Sequence, residues 1–294
     1  TPLRHRVASS HGSETHLVHG RSDAPMGSAP EPAASDTTAP VYFVDRSVLA
    51  GAQAQQLVEI AGPDAHHAAR VRRLREGEAV HVSDGAGTRA TGAVHGDPNG
   101  DLLRIRLDTI SVEASRSPRV IIVQALTKGD RGDRAIEMMA ELGADVIIPF
   151  AAQRSVVRWT GAKIDAGRHR WQSIAREAAK QSRQAWVPDV QPLADIDDVC
   201  GVVRAADLAL VLDVHGESAP AIPIWGDVVC VVGPEGGLSP AEWDAIRTAG
   251  AISASLGPTV LRAGTAGPVA LACILSQTLR WAPRSSVSVQ GLRP

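Results

Sequence analysis

The sequence predicts an α/β protein in two parts: a small β-barrel, then a largely parallel sheet with helices on both faces. Three observations carry this. Residues 41 to about 114 read as short alternating strands separated by turns. From Arg119 onward, strand-like and helix-like patterns alternate. Near the C-terminus, two glycine-bearing loops each follow a short apolar run and lead toward a helix, marking one small-molecule pocket built from both.

The 294 residues can form one large domain or two. A content of 44% hydrophobic and 21% charged residues describes a soluble globular chain. The apolar runs fall far short of a membrane span, so no membrane partner is expected. A net charge of −2 excludes a globally basic nucleic-acid binder but leaves room for a local basic face. Cys200, Cys230 and Cys273 are odd in number and lack C-x-x-C spacing, which favours buried thiols in a reducing cytoplasm over a disulfide or metal site. Residues 1–40 are rich in Ser, Pro, Ala and His without hydrophobic periodicity and read as a disordered N-terminal extension. His5, His11, His16 and His19 are too irregularly spaced for a metal site, and no signal-peptide apolar stretch occurs. Met26 offers an internal start.

In the first part, residues 41–114, Glu78 to Ser83 and Thr88 to His95 alternate on either side of the turn Asp84-Gly85-Ala86-Gly87. A second turn, Asp97-Pro98-Asn99-Gly100, precedes a strand from Leu102 to Leu107. Ser115 to Pro118 reads as a linker. The second part spans 119–283. Val120 to Leu126 is a strand, Arg131 to Leu142 a helix closed by Gly143, and Asp145 to Phe150 a strand. A long helix runs from Arg168 to Arg183, and Leu208 to Asp213 and Val228 to Val232 are buried strands. Ser239, Pro240 and Glu242 form a capping box for a helix ending at Gly250. Thr265 caps a last, broadly apolar helix to about Arg280, with Pro268 in its first turn. Residues 284–294 form a flexible tail.

The first loop, Gly233-Pro234-Glu235-Gly236-Gly237-Leu238, is neither a Walker A sequence nor G-x-G-x-x-G, so a ligand without a pyrophosphate is favoured. The second is Leu256-Gly257-Pro258-Thr259-Val260-Leu261-Arg262. Together with Gln124 to Arg131, Glu141-Leu142-Gly143, Gln153-Arg154-Ser155-Val156-Val157, Glu177 to Ser182, Tyr42 to Asp45 and His66 to Gly77, these loops resemble the RsmE type of SPOUT RNA methyltransferase over about Val41 to Ala282. The resemblance implies a PUA-like barrel followed by a trefoil-knotted domain. It also implies a homodimer, S-adenosylmethionine as cofactor, and methylation of a uridine N3 in small-subunit (16S) ribosomal RNA. Periodicity alone would exclude a knot. Where the family usually carries Thr-Glu-Thr-Ala after Leu-Arg, this chain reads Ala263-Gly264-Thr265-Ala266.

On this resemblance, the cofactor is held by Leu212, Gly233, Pro234, Glu235, Gly236, Gly237, Leu238, Leu256, Gly257, Leu261, Arg262 and Thr265. Uridine N3 carries a proton that must leave before the nitrogen attacks, so a base or an anion-stabilising cation is needed. Arg154 and Glu177 are the catalytic candidates. Glu177 shares a helix face with Gln181, and a solvated face is the competing reading. Arg70, Arg72, Arg73, Lys128 and Arg131 are candidate RNA contacts, and no metal is expected. Two other readings stay open: a methyltransferase acting on another RNA or a ribose 2′-oxygen, and a non-catalytic RNA-binding relative.

Overall fold

The computed structural model describes residues 39–98, 102–218, 224 and 226–281. Residues 1–38 of the proposed extension, the tip of the second turn at Asn99 and Gly100, and the tail lie outside the described residues. Ala39, however, is buried and the Pro40 carbonyl accepts from the His81 N–H, so the folded chain starts two residues earlier than expected. A first sheet contains β1 (Val41–Phe43), β2 (Leu57–Ala61), β3 (Ala79–Ser83), β4 (Thr88–Val94) and β5 (Leu102–Val112) in the order β1-β3-β4-β5-β2. Only β1 and β3 run parallel. In β5, Leu103, Ile105 and Leu107 are buried while Arg104 and Arg106 are exposed, the period-2 pattern of a half-buried strand. The strand runs beyond Leu107 where apolar alternation fails, because pairing with β4 from Thr91↔Thr109 to Thr88↔Val112 carries it on. The expected barrel is realised as a curled sheet. Tyr42 and Val44 at one end share a core with Val58 and Ile60 at the other, while β1 and β2 remain the two edges of the ladder. Two short helices, α1 (Arg46–Leu49) and α2 (Pro63–His66), belong to this domain, and a π turn, His67–Val71, follows α2.

The second domain comprises β6 (Val120–Ala125), α3 (Arg131–Leu142), β7 (Val146–Phe150), α4 (Ala162–Gln181), β8 (Asp189–Val190), α5 (Ile196–Ala205), β9 (Leu208–Ser218), β10 (Val228–Val232), α6 (Pro240–Thr248), β11 (Ile252–Ser255) and α7 (Ala263–Ser276). Its six strands are all parallel, in the order β11-β9-β10-β6-β7-β8. Both faces are covered. Val120 and Ile122 join a core with Met139, Trp171 and Leu271, while Ile121 and Val123 join another with Phe150, Val199 and Ile246. Strands buried on both faces read as continuous apolar runs, as Val228 to Val232 does.

Several expectations change. α4 starts at Ala162 rather than Arg168, because its exposed first turns carry no apolar stripe to signal them. α5 was not expected, although Asp195 and Asp198 form its capping box. Thr265 does not cap α7. Arg262 occupies that position without a side-chain cap, and Thr265 is the third helical residue. Pro268 therefore falls in the second turn, inside the helix, where it removes the hydrogen bond to the Gly264 carbonyl. α7 ends at Ser276, and a separate 3₁₀ turn holds Leu279–Trp281. Cys200 and Cys230 are buried as expected, but Cys273 is exposed.

The two domains meet at α4. Lys180 pairs with Asp64 at 2.5 Å and lies 5.5 Å from the Tyr42 ring centroid, and the Arg176 guanidinium sits 4.8 Å over Phe43. Burial, partly offset by the Arg72 charge, pushes the Tyr42 phenol up to about 12.

Candidate active site

The two glycine loops stand at the C-terminal ends of β10 and β11, where parallel sheets bind ligands. They frame a cavity of about 480 Å³, within the range of small-molecule sites. Leu212, Val232, Leu238, Trp243, Leu256 and Leu261 give it apolar walls. Among the sequence-based candidates, Leu212, Gly233, Pro234, Glu235, Gly237, Leu238, Leu256, Gly257, Leu261 and Arg262 all line it. Gly236 and Thr265 do not. Gly236 instead faces the Arg154 loop, where a Cβ would lie 3.3 Å from both the Arg154 Cβ and carbonyl oxygen. Thr265 is exposed on α7.

Asp213, Val214 and Trp243 escaped sequence reading. The first two reach the cavity because β9 bulges. Ser253 of β11 pairs with Val211, but the next residue, Ala254, pairs with Glu217, so β9 residues 212–216 lie between consecutive pairings. Nothing in the sequence pattern marks that irregularity. In the second loop, Gly257 adopts φ +125°, a conformation that other residues rarely adopt. The backbone N–H groups of Val260 and Leu261 have no partner among the described residues.

The first loop is fixed from two sides. Ser239 and Glu242 form the expected capping box at the start of α6. The Glu242 carboxylate is buried and also accepts from the Gln153 backbone N–H at 2.7 Å, besides the Ser239 N–H at 2.8 Å. One side chain thus ties the first glycine loop to the segment carrying Arg154. Arg154 in turn donates to the carbonyls of Gly236 at 3.4 Å and Leu238 at 3.3 Å. Arg131 approaches from the start of α3, 3.9 Å from Glu235. A Cβ at Gly264 would lie 3.0 Å from the Arg131 carbonyl oxygen, so the glycine lets α7 start close against α3.

Arg154 and Arg131 are exposed beside the first loop and do not line the cavity themselves, and the remaining candidates lie elsewhere. Glu177 is exposed on α4 and does not line the cavity. Lys128 is exposed just before α3. Arg70, Arg72 and Arg73 are exposed at the π turn of the first domain. No cluster of three or more metal-ligating side chains occurs among the described residues, and none of their helices is long and apolar enough to cross a membrane.

A parallel sheet with a cofactor-sized cavity at its strand ends, preceded by a small β domain, is an architecture that many α/β enzymes share, and relatives give its chemistry. Residues 115–275 match the RNA methyltransferase domain family, and residues 60–106 match the RNA methyltransferase PUA domain. The ribosomal RNA small subunit methyltransferase E of Mycobacterium bovis is 40% identical over 248 residues, covering 82% of this chain and 93% of that protein. A Legionella pneumophila protein, solved in complex with the bound cofactor S-adenosylmethionine, superposes with a TM-score of 0.69 at 25% identity, covering 81% of this chain and 96% of that one. The small subunit methyltransferase E of Neisseria gonorrhoeae, solved bound to S-adenosylmethionine, shares the fold with a TM-score of 0.71 at 23% identity, covering 81% and 97%. The chain belongs to the ribosomal RNA small subunit methyltransferase E family.

Proposed function

We propose that this protein transfers a methyl group from S-adenosylmethionine to N3 of a uridine in 16S ribosomal RNA. The observation that carries this reading is the cavity framed by both glycine loops, with Arg154 bonded to the first loop. The lining fits the cofactor. Its apolar walls suit an adenine ring, its unpartnered backbone donors suit polar edges, and its carboxylates, Asp213 and Glu235, suit a ligand carrying a sulfonium and an ammonium. Arg262 is the one cation in the lining among the described residues, which argues against a polyphosphate. When bound, the cofactor supplies an electrophilic methyl group.

The chain's own part is alignment and charge. Leu256 and Leu261 hold the ligand from one side, and Gly233, Pro234, Glu235, Gly237 and Leu238 from the other. Arg154 stabilises the uridine anion formed when N3 loses its proton. Glu177 acts as proton acceptor only where RNA or a second copy of the chain brings the outer face of α4 to the cavity. Arg70, Arg72, Arg73, Lys128 and Arg131 grip the RNA backbone.

The homodimer and a cytoplasmic location follow the family resemblance, as does the knot. In its support, β11 lies at the sheet edge beside β9, yet α7 returns to pack on β10, β6 and α3. Two assays test the activity. Calorimetry must show S-adenosylmethionine binding, since a non-catalytic relative can lack it. Alkaline hydrolysis of methylated RNA must give single nucleotides, because a 2′-O-methyl group blocks cleavage and leaves a dinucleotide.

A further inference from the structure

A second cavity, of about 510 Å³, opens between the β domain and the parallel-sheet domain, lined in part by Arg89, Arg116, Arg183, Arg280 and Trp281. Three of the arginines are engaged. Arg89 pairs with Glu113 at 3.1 Å and donates to the Arg183 carbonyl at 2.8 Å. Arg280 bonds Asp145 at 2.6 Å and the Gly143 carbonyl, while Arg116 bonds that carbonyl and Gln184, with Asp145 at 3.7 Å. These contacts close the C-terminal end of α3 and hold the guanidiniums in place. Glu113 and Glu141 share the lining and Asp145 faces both Arg116 and Arg280, so the charges on the floor are largely compensated and any further anion falls to Arg183.

Arg183 differs from the other three. Its guanidinium has no partner among the described residues, although its backbone is fully engaged. The Gln184 N–H bonds the Ala179 carbonyl at 2.8 Å, and the Arg183 N–H bonds the Lys180 carbonyl at 3.2 Å. This is the Schellman closure of α4, with Arg183 in the left-handed position at φ +55°. Glycine takes that position at least cost, and a side chain there costs about 1 kcal/mol. The site therefore retains a strained, unpaired arginine at the lip of a cleft with guanidiniums on its floor. Trp281, 44% exposed, stands at the same cleft.

We propose that this cleft is a second RNA contact, taking a backbone phosphate against Arg183 and an unstacked base against Trp281. It rests on the reading of the protein as an RNA methyltransferase and adds where the RNA strand runs relative to the two domains.

The test uses the full chain and a 16S ribosomal RNA fragment, with affinity measured by fluorescence anisotropy between about 50 and 200 mM salt. Arg183→Gly removes the guanidinium and also relieves the left-handed strain, so the variant folds. The expected result is a loss of RNA affinity of roughly threefold to tenfold, and a salt slope shallower by about 1, with S-adenosylmethionine binding unchanged. Arg183→Lys restores much of the slope, and Trp281→Ala weakens binding without altering it. Wild-type affinity and slope in Arg183→Gly, with RNA still methylated, overturn the cleft alone. A change in affinity for inorganic phosphate without a change for RNA also overturns it, leaving a small-anion site. Absence of RNA binding by the wild-type chain overturns both the cleft and the proposed function.

Discussion

Glu242 is the side chain whose loss should disturb the site most without touching the cofactor. Its buried carboxylate accepts two backbone N–H groups, Gln153 at 2.7 Å and Ser239 at 2.8 Å. In Glu242→Ala both donors lose their acceptor, the Ser239 N–H at a buried position and the Gln153 N–H at a part-buried one that water can reach. A buried donor left unsatisfied costs about 1–3 kcal/mol, so the loss is about 2–3 kcal/mol, a sizeable share of the roughly 5–15 kcal/mol that stabilises a folded domain. Glu242→Gln keeps one oxygen acceptor and turns an amide NH₂ toward the other donor, so about half that loss is expected. Urea unfolding monitored by tryptophan fluorescence measures both values. Because Glu242 joins the Arg154 segment to the first glycine loop, affinity for S-adenosylmethionine should also fall by about tenfold in Glu242→Ala, about 1.4 kcal/mol. A Glu242→Ala protein within about 0.5 kcal/mol of wild type, the range of an unremarkable surface change, refutes the reasoning.

Further outcomes follow from other parts of the molecule. Arg154→Ala should lower kcat by about 100-fold, the loss typical of one anion-stabilising donor, beyond the smaller loss of S-adenosylmethionine affinity that follows from freeing the Gly236 and Leu238 carbonyls. An unchanged kcat removes Arg154 from the chemistry. Charge reversal at Arg72 and Arg73 should weaken RNA binding and leave cofactor affinity intact, and unaltered RNA affinity would exclude this cluster from the interface. Tyr42 is the chain's one tyrosine, so tyrosinate absorbance reports it alone, and the folded protein should titrate near 12 instead of 10. A phenol that holds its proton more tightly when folded contributes stability below pH 10 that is lost as pH rises through 12. Tyr42→Phe should abolish that alkaline loss, and an ordinary midpoint in the folded protein would contradict the burial argument. With a thiol-specific reagent at pH 8, Cys273 should react in the native protein. Cys230, whose thiol burial pushes up to about 12, and Cys200, raised by the same cause, should react only after unfolding.

Local chemistry made much of this architecture legible in the sequence. Arg131–Leu142 and Val228–Val232 have the expected bounds because an apolar stripe and a fully buried strand leave clear patterns. The capping box at Ser239 and Glu242 was readable for the same reason. Features set by tertiary contact were not. The bulge that brings Asp213 and Val214 into the cavity depends on how β11 pairs with β9. The early start of α4 lies in exposed turns without periodicity. Thr265 looked like a cap because its residue type suits one, but the backbone enters the helix at Arg262. The second role of Glu242 depends on a long-range approach of Gln153, which no short spacing reveals. The glycine loops themselves were visible as sequence, and the structure places most of their candidate residues around one cavity.

The central claim is methylation of a uridine base in 16S ribosomal RNA. Its most direct test supplies the purified protein with methyl-labelled S-adenosylmethionine and small ribosomal subunits from cells lacking this methylation, followed by nucleoside analysis of the RNA. Label recovered as 3-methyluridine is the predicted result. Bound cofactor with no label in the RNA, or label recovered only on ribose, would contradict it.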